Sequence, residues 1–337
     1  MVLKFLVKNW RRLPMEEFRV PSHLSFVAAP RWQGSHHIIF FILADGQADP
    51  ILVVKVPRLS GDNTRLDREA DNLRTIQAAR FDGFSSIPRV ITYEDCFDNR
   101  LLIETALAGQ TMSPSQIRRQ PKPVIEAVLA WLVSLHLATR QRGEDVGRWF
   151  EPMVRPHLEV FEKAFPLSAE DKTLIAQTCE LTDPLRDADL PFVFEHGDLD
   201  FRNILITEAG SLGVVSWESA NPGGFPALDL FYFLTCVAFA LRRARKLVDC
   251  LEAFHEAFFG PTAWAQPYVV RYAKGLCLSS EVVKALFLLC WSRYVAHIII
   301  GHSHGPLEQG TTEWLRVNRY YALWNHAIHH AKDLNFG

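Results

Sequence analysis

The sequence predicts an α+β protein in two parts, a small β-rich N-terminal part with one helix and a larger, mainly helical second part. Three observations carry this reading. Short β-type runs separated by turn signals fill residues 24–57, the helical period dominates after Gly109, and a β-rich island at 192–217 sits inside the helical part. A chain of 337 residues holds two ordinary domains or one large two-lobed one. We place the division at 1–105 and 106–337.

Each element follows from a local pattern. In Met1 to Pro14, Leu3, Leu6, Trp10 and Leu13 fall at helical spacing, with Lys4, Lys8, Arg11 and Arg12 between them. The reading is a first helix packed on its own domain. A basic amphipathic segment of this kind can also lie on an anionic membrane surface or direct import into an organelle. Leu24 to Ala28, His37 to Ala44 and Ile51 to Val56 read as strands, and Asp45-Gly46 between two apolar runs predicts an antiparallel hairpin. From Asn63 to Ala79, Leu66, Ala70, Leu73 and Ile76 recur at three and four residues, which is a helix. Two further strands follow at Arg89 to Tyr93 and Leu101 to Thr105. Val124 to Thr139 is a strong helix, 152–181, 228–257 and 281–300 read mainly as helices, and a last helix covers roughly 311–331. Within the island, Ile204 to Thr207 and Gly213 to Ser216 form a hairpin closed by Glu208 to Leu212.

Composition excludes several classes. Apolar residues make up 48% and charged residues 22%, so the chain forms cores rather than staying disordered. The formal charge of −2 lacks the basic surplus of a nucleic-acid binder. The six cysteines contain no CxxC pair and read as buried small hydrophobes of a reducing compartment, which points to the cytoplasm. No transmembrane span is expected: Val282 to Ile300 is interrupted by Lys284, Arg293 and His297 and reads as a core helix.

The most informative string is His196-Gly197-Asp198-Leu199-Asp200-Phe201-Arg202-Asn203-Ile204-Leu205-Ile206. Antiparallel pairing brings the residue before the first strand of a hairpin beside the residue ending the second. Asn203 and Ser216 therefore share the open end, with Asp198 in the same loop. An acid, an amide oxygen and one more group converge where a hard cation could bind.

This string resembles the catalytic loop of the aminoglycoside phosphotransferase and choline kinase-like family, His-Gly-Asp-x-x-x-x-Asn followed by a hairpin ending in Ile-Asp-Trp-Glu. Leu52-Val53-Val54-Lys55 resembles that family's strand lysine, and Arg68-Glu69-Ala70-Asp71-Asn72-Leu73 its helix glutamate segment. Leu101 to Glu104 with Gly109 is similar to its interlobe strand and hinge, Leu135-His136 to the end of its long helix, and Pro222 to Leu230 to its Gly-Asp-Pro-x-x-Asp-Leu segment. These elements lie in the family's order over about residues 30–235. The resemblance implies a protein-kinase-like bilobal fold and ATP-dependent, Mg2+-assisted transfer of the γ-phosphoryl group to a hydroxyl of a small molecule. It further implies that Lys55 contacts the nucleotide phosphates and Glu69 fixes its ammonium, with Glu104 on the nucleotide side of the hinge. Asp198 would orient the acceptor hydroxyl and take its proton, Asn203 would bind Mg2+, and His196 and Asp229 would be structural. Gly34 and Ser35 fall in the phosphate-covering loop, where a single glycine fits a plain turn equally well.

The chain departs from that pattern at three places. Ser216 stands where the family has the aspartate that is its main Mg2+ ligand, and a neutral hydroxyl is a poor replacement for an anionic oxygen. Losing that ligand costs roughly several kcal/mol of transition-state charge stabilisation. Glu218, two residues on, faces the same side if the strand continues, and Asp200 is another nearby acid. Phe225 stands where the family has the aspartate of Gly-Asp-Pro, and the covering loop has lost glycines. The alternative to an enzyme is a pseudokinase, a nucleotide-binding or scaffold protein, with Ser216 separating the two. From 234 to 337 the chain carries eleven Lys and Arg against seven Asp and Glu, which favours a neutral or anionic acceptor over a polycationic antibiotic. His302 and His304 lie together, and His326, His329 and His330 share a helical face without a zinc-type pattern around them, so they read as the face of an amphipathic helix.

Overall fold

In the computed structural model, the apolar runs of the first hundred residues become five strands of one antiparallel sheet, in the order β1-β2-β3-β5-β4. These are β1 (Leu24–Ala28), β2 (His37–Ala44), β3 (Leu52–Pro57), β4 (Val90–Cys96) and β5 (Asn99–Thr105). The structure describes residues 2–14, 20–29, 36–80, 83–96, 99–142, 150–164, 166–302, 315 and 317–337. Two units emerge from packing. The first is Met1–Met112 with His196–Asp198 and Arg202–Pro222, and the second is Ser113–Glu195, Leu199–Phe201 and Gly223–Gly337.

The period of two along each strand gives the first unit's sheet two different faces. On one face Leu52, Val54, Val56, Leu101 and Ile103 pack with Val2, Leu6, Trp10 and Leu13 from α1 (Val2–Asn9) and the turn after it. The N-terminal helix thus spends most of its apolar side on the core of its own unit, while Lys4, Lys8, Arg11 and Arg12 are exposed along with Val7. On the opposite face Leu102 packs against Leu66 and Ala70 of α2 (Thr64–Ala78). Cross-strand register sets Lys55 opposite Leu102 and Val53 opposite Glu104, so Lys55 and Glu104 share the α2 face. That shared face positions the site.

The late segment of the first unit is a small three-stranded sheet. β9 (Ile204–Ile206) pairs with β10 (Leu212–Val214) on one side and with β6 (Gln110–Thr111) on the other, all antiparallel. Gly109 precedes β6 with φ +110°, and a Cβ there would lie 2.8 Å from the Ile206 backbone, so only glycine allows this approach.

The second unit is helical. α3 (Pro114–Arg119) starts at a capping box of Ser113 and Gln116, and α6 (Ala169–Thr182) at one of Ser168 and Asp171. The other helices are α4 (Pro121–Thr139), α5 (Phe150–Ala164), α7 (Leu228–Arg242), α8 (Leu247–Phe258), α9 (Gln266–Leu276), α10 (Ser280–His302) and α11 (Arg319–His329), with β7 (Gln141–Arg142) paired to β8 (Pro191–Glu195). Pro121–Thr139 and Ser280–Ile300 are long and apolar enough to cross a membrane by length and composition, and 72% of the latter's apolar window is buried among its neighbours, as in a core helix. Phe231, Phe254, Phe258, Phe287 and Trp291 form the aromatic centre. All six cysteines are free thiols.

Several elements differ from expectation. The run 152–181 divides into α5 and α6, and 228–257 divides at Arg243, whose left-handed φ of +55° ends α7. Helices α3 and α9 were not predicted. The last helix runs Arg319–His329, and most of its expected beginning lies outside the described residues.

Candidate active site

Lys55 sits mid-sheet with 5% exposure, and its ammonium lies 2.6 Å from Glu69 Oε1 on α2 and 2.9 Å from Glu104 Oε1 on β5. Both carboxylates are buried, and the Oε2 of each has no hydrogen-bond partner. Burial works against the charged lysine, but Glu104, Glu69 and Glu218 more than offset it and hold the ammonium well above the usual lysine range. Burial pushes the Glu104 carboxyl up, to about 7, with Lys55 opposing and Glu69 and Glu218 reinforcing the rise. A buried cation between two carboxylates is a geometry that holds only while all three remain matched.

Glu69 has a second task. Its Oε1 also accepts a hydrogen bond from the Trp217 backbone N–H at 3.1 Å, so one oxygen ties the lysine to the loop after β10. One turn along α2, the buried Asn72 donates from Nδ2 to the carbonyls of Trp217 at 2.8 Å and Ala220 at 3.1 Å. Asn72 is a site residue that sequence reasoning quoted but gave no role. The available signal was a second polar side chain on the apolar stripe of Leu66, Ala70 and Leu73.

The segment 196–218 carries the remaining first-unit groups. Asn203 donates from Nδ2 to the Asp198 carbonyl at 2.8 Å and to its carboxylate Oδ2 at 3.1 Å. The Val215 N–H donates to the Asn203 carbonyl at 3.0 Å, which puts the two strand ends side by side as antiparallel pairing predicts. His196 is fully buried, its Nε2 is 3.0 Å from the Val215 carbonyl, and the Asp198 N–H reaches its Nδ1 at 3.3 Å. That pattern makes Nε2–H the donor and Nδ1 the acceptor, so the ring is a neutral brace between loop and hairpin. It also meets the fully buried Trp217 edge-on at 4.7 Å. Gly197 has φ +79°, and a Cβ there would lie 2.3 Å from the Ser219 carbonyl.

Ser216 and Glu218 are half-buried. Strand β10 ends at Val214, and Ser216 takes a left-handed φ of +69°. Strand alternation therefore stops before Ser216 and does not govern where Glu218 points, which removes the geometric reason for expecting the two on one side. Glu218 instead acts electrostatically on Lys55 and Glu104. Gly34 and Ser35 lie outside the described residues.

Asp229, and the buried Asp200, belong to the second unit. Asp229 is buried in the first turn of α7, where a carboxylate complements the helix dipole. Just before it, Ala227 has φ +68° and donates its N–H to Tyr272 Oη at 2.8 Å, which in turn lies 2.5 Å from His136 Nδ1. Phe225, in place of an aspartate, is fully buried beside Phe192, with the Arg293 guanidinium 5.3 Å from its ring centre. Arg293 pairs with the buried Glu195 at 3.2 Å, so this position has exchanged a carboxylate for an aromatic face under a paired cation.

Among solved structures, the chain is similar to aminoglycoside phosphotransferase APH(4)-Ia in a ternary complex with ADP and hygromycin B, with TM-score 0.52, 14% identity, and 97% of this chain and 96% of that chain covered. It is similar to the GDP complex of aminoglycoside 2'-phosphotransferase-IIIa at TM-score 0.51, 13% identity and 98% coverage of both chains. It is similar also to choline kinase LicA from Streptococcus pneumoniae at TM-score 0.53 and 12% identity, covering 95% of this chain and 98% of that one. At such identities the likeness is one of fold, here a kinase-like one with a β-sheet N-terminal region and a mainly helical C-terminal region. No curated protein matches the chain in sequence. The phosphotransferase enzyme family (APH) matches residues 30–270. That match spans the strand lysine, the helix glutamate and the whole 196–218 segment, and by it the chain belongs to the APH phosphotransferase enzyme family.

Proposed function

We propose that the protein is an ATP-dependent phosphotransferase that moves the γ-phosphoryl group to a hydroxyl of a small molecule. The observation that carries this reading is the Asn203 amide bonded to both the carbonyl and the carboxylate of Asp198. A carboxylate steadied in this way orients an acceptor hydroxyl and takes its proton. Lys55, kept charged and held by Glu69, contacts nucleotide phosphates, and Glu104 yields its place on the ammonium to them.

The donor chemistry also fits magnesium. Asn203 Nδ2 is committed to Asp198, which leaves Oδ1 as the atom for an ion, and the Ser216 hydroxyl and Glu218 carboxylate are further hard oxygens. Bound magnesium neutralises charge on the transferring phosphates. The basic surplus of residues 234–337 favours a neutral or anionic acceptor, unlike the hygromycin B and choline named for two of the similar structures.

A second reading, a pseudokinase that binds nucleotide without turnover, is favoured by Ser216 and by the second carboxylate on Lys55. Nucleotide binding measured by thermal shift with and without Mg2+, followed by ATP turnover over a panel of hydroxyl compounds, separates the two. Turnover that falls about 10²–10⁴-fold in Asp198→Asn, with nucleotide binding retained, supports the enzyme. Binding without turnover, restored by Ser216→Asp, supports the pseudokinase. Absence of nucleotide binding overturns both.

A further inference from the structure

Three histidines with no part in this chemistry meet within the second unit. His326 lies on α11 and His330 just past its end, and His255 comes from α8, which packs against α11. One nitrogen of each lies within 4.8 Å of the others, and His255 Nδ1 is 3.0 Å from His326 Nε2. The ring centres of His326 and His330 are 4.4 Å apart, and both of those rings lie 5.2 Å from that of His255. Phe259 stacks on His255 and meets the other two rings edge-on or tilted, which makes one wall of the cluster apolar. His329, expected to share the face, is exposed and turns its Nδ1 to the Asn325 carbonyl at 2.8 Å.

We propose that His255, His326 and His330 form a binding site for a divalent transition ion of the zinc class. Three imidazoles without a carboxylate among them select nitrogen-preferring ions over Mg2+ or Ca2+. Zinc–nitrogen bonds of about 2.0–2.1 Å in a tetrahedron place ligand nitrogens about 3.3 Å apart, close to the 3.0 Å already separating His255 and His326. The widest separation in the set closes by about 1.5 Å, within the reach of side-chain rotation. The remaining ring is already oriented: Asp333 Oδ2 lies 3.0 Å from His330 Nδ1, which fixes the proton there and leaves Nε2 for an ion. A carboxylate behind a ligating histidine is the usual outer support of such sites. His255 and His326 also line a groove of about 460 Å3 with Glu252 and Glu256, which gives an ion and a fourth, water ligand a way in.

The full chain, stripped by chelator, tests this by calorimetric titration with Zn2+ and visible spectroscopy with Co2+. The expected result is one ion per chain, the absorption bands of tetrahedral cobalt, and a raised melting temperature reversed by chelator. His255→Gln and His326→Gln weaken binding at least tenfold and abolish the cobalt bands, whereas His329→Gln changes neither. Asp333→Asn weakens binding about tenfold with every ligand intact. Should His326→Gln fail to fold, His255→Gln with the cobalt spectrum decides. Affinity unchanged in His255→Gln, equal losses in His329→Gln, or displacement by millimolar Mg2+ overturns the site.

Discussion

The Lys55 ammonium lies 2.9 Å from the Glu104 carboxylate on the adjacent strand, in addition to its 2.6 Å contact with Glu69. One buried cation thus serves two buried anions, and under the proposed function phosphates would have to displace Glu104 to reach it. Glu104→Gln keeps the shape and removes the competing charge. We expect nucleotide affinity to rise about tenfold, worth about 1.4 kcal/mol, in a calorimetric titration. Unchanged or weaker binding contradicts the competition.

The same pair sets a pH dependence. Glu104 titrates higher in the folded protein, at about 7, than an ordinary carboxyl, so the folded state holds an extra proton between the two values. Its contribution to stability is full below the ordinary carboxyl range and is lost as pH rises toward 7. Under the proposed function, nucleotide affinity is expected to move the same way, rising as pH falls through about 7 and Glu104 releases Lys55. The buried His37 and His136 and the half-buried His157, held down by desolvation to about 4, 3 and 3, act in the opposite sense and lose stability as pH falls. They cancel in a comparison of wild type with Glu104→Gln. The difference in melting temperature, wild type minus variant, is expected to be larger at about pH 5 than at about pH 8; a constant difference refutes the assignment.

Ser216→Asp puts an anionic oxygen on the residue after Val215, whose N–H donates to the Asn203 carbonyl. The position has φ +69°, a left-handed conformation that aspartate tolerates better than most residues, so the fold accepts the change. Nucleotide binding is expected to become at least about tenfold more dependent on Mg2+, the scale of one added charged ligand, in titrations over rising Mg2+. No change in that dependence places residue 216 away from the ion.

Asn72→Leu tests the anchorage of the loop. It removes the Asn72 amide from the Trp217 and Ala220 carbonyls, while the Trp217 carbonyl keeps the Ala220 N–H at 3.2 Å. Each lost hydrogen bond is worth about 0.5–1.5 kcal/mol, and we expect a loss of about 2 kcal/mol in urea unfolding. A loss below about 0.5 kcal/mol means that water replaces the amide without penalty.

Gly197→Ala combines a left-handed backbone with a Cβ 2.3 Å from the Ser219 carbonyl oxygen. Since the obstacle is backbone rather than a flexible side chain, the loop has to shift. Turnover and nucleotide-dependent thermal stabilisation are expected to fall together; wild-type values in both show that the loop relaxes freely.

The features legible in the sequence were those with a local period. Leu66, Ala70, Leu73 and Ile76 mark α2, Asp45-Gly46 marks the β2–β3 connection, and pairing logic alone put Asn203 beside the far end of its hairpin. Features set by tertiary packing were not legible. The Lys55–Glu104 pair depends on how β3 registers with β5, and Asn72 gains its role from a loop 145 residues away. Glu218 could not be placed because the left-handed turn at Ser216 ends the alternation on which the inference relied. Gly260, Pro261, Pro267 and Gly275 punctuate the α9 region and obscure a helix whose proline stands in the first turn, where it is tolerated. His255 stands 71 residues before His326 in the chain, so only the packing of α8 on α11 joins them.

The double use of Glu69 Oε1 makes α2 a clutch. The Lys55 ammonium and the Trp217 amide both grip this one oxygen, while Oε2 has no partner to catch either donor. Withdrawal of the helix by the length of a hydrogen bond leaves the lysine to Glu104 alone and slackens the loop bearing Ser216 and Glu218 in a single event. Whatever steadies Glu69 at one of these contacts steadies it at the other, since both donors share the one oxygen.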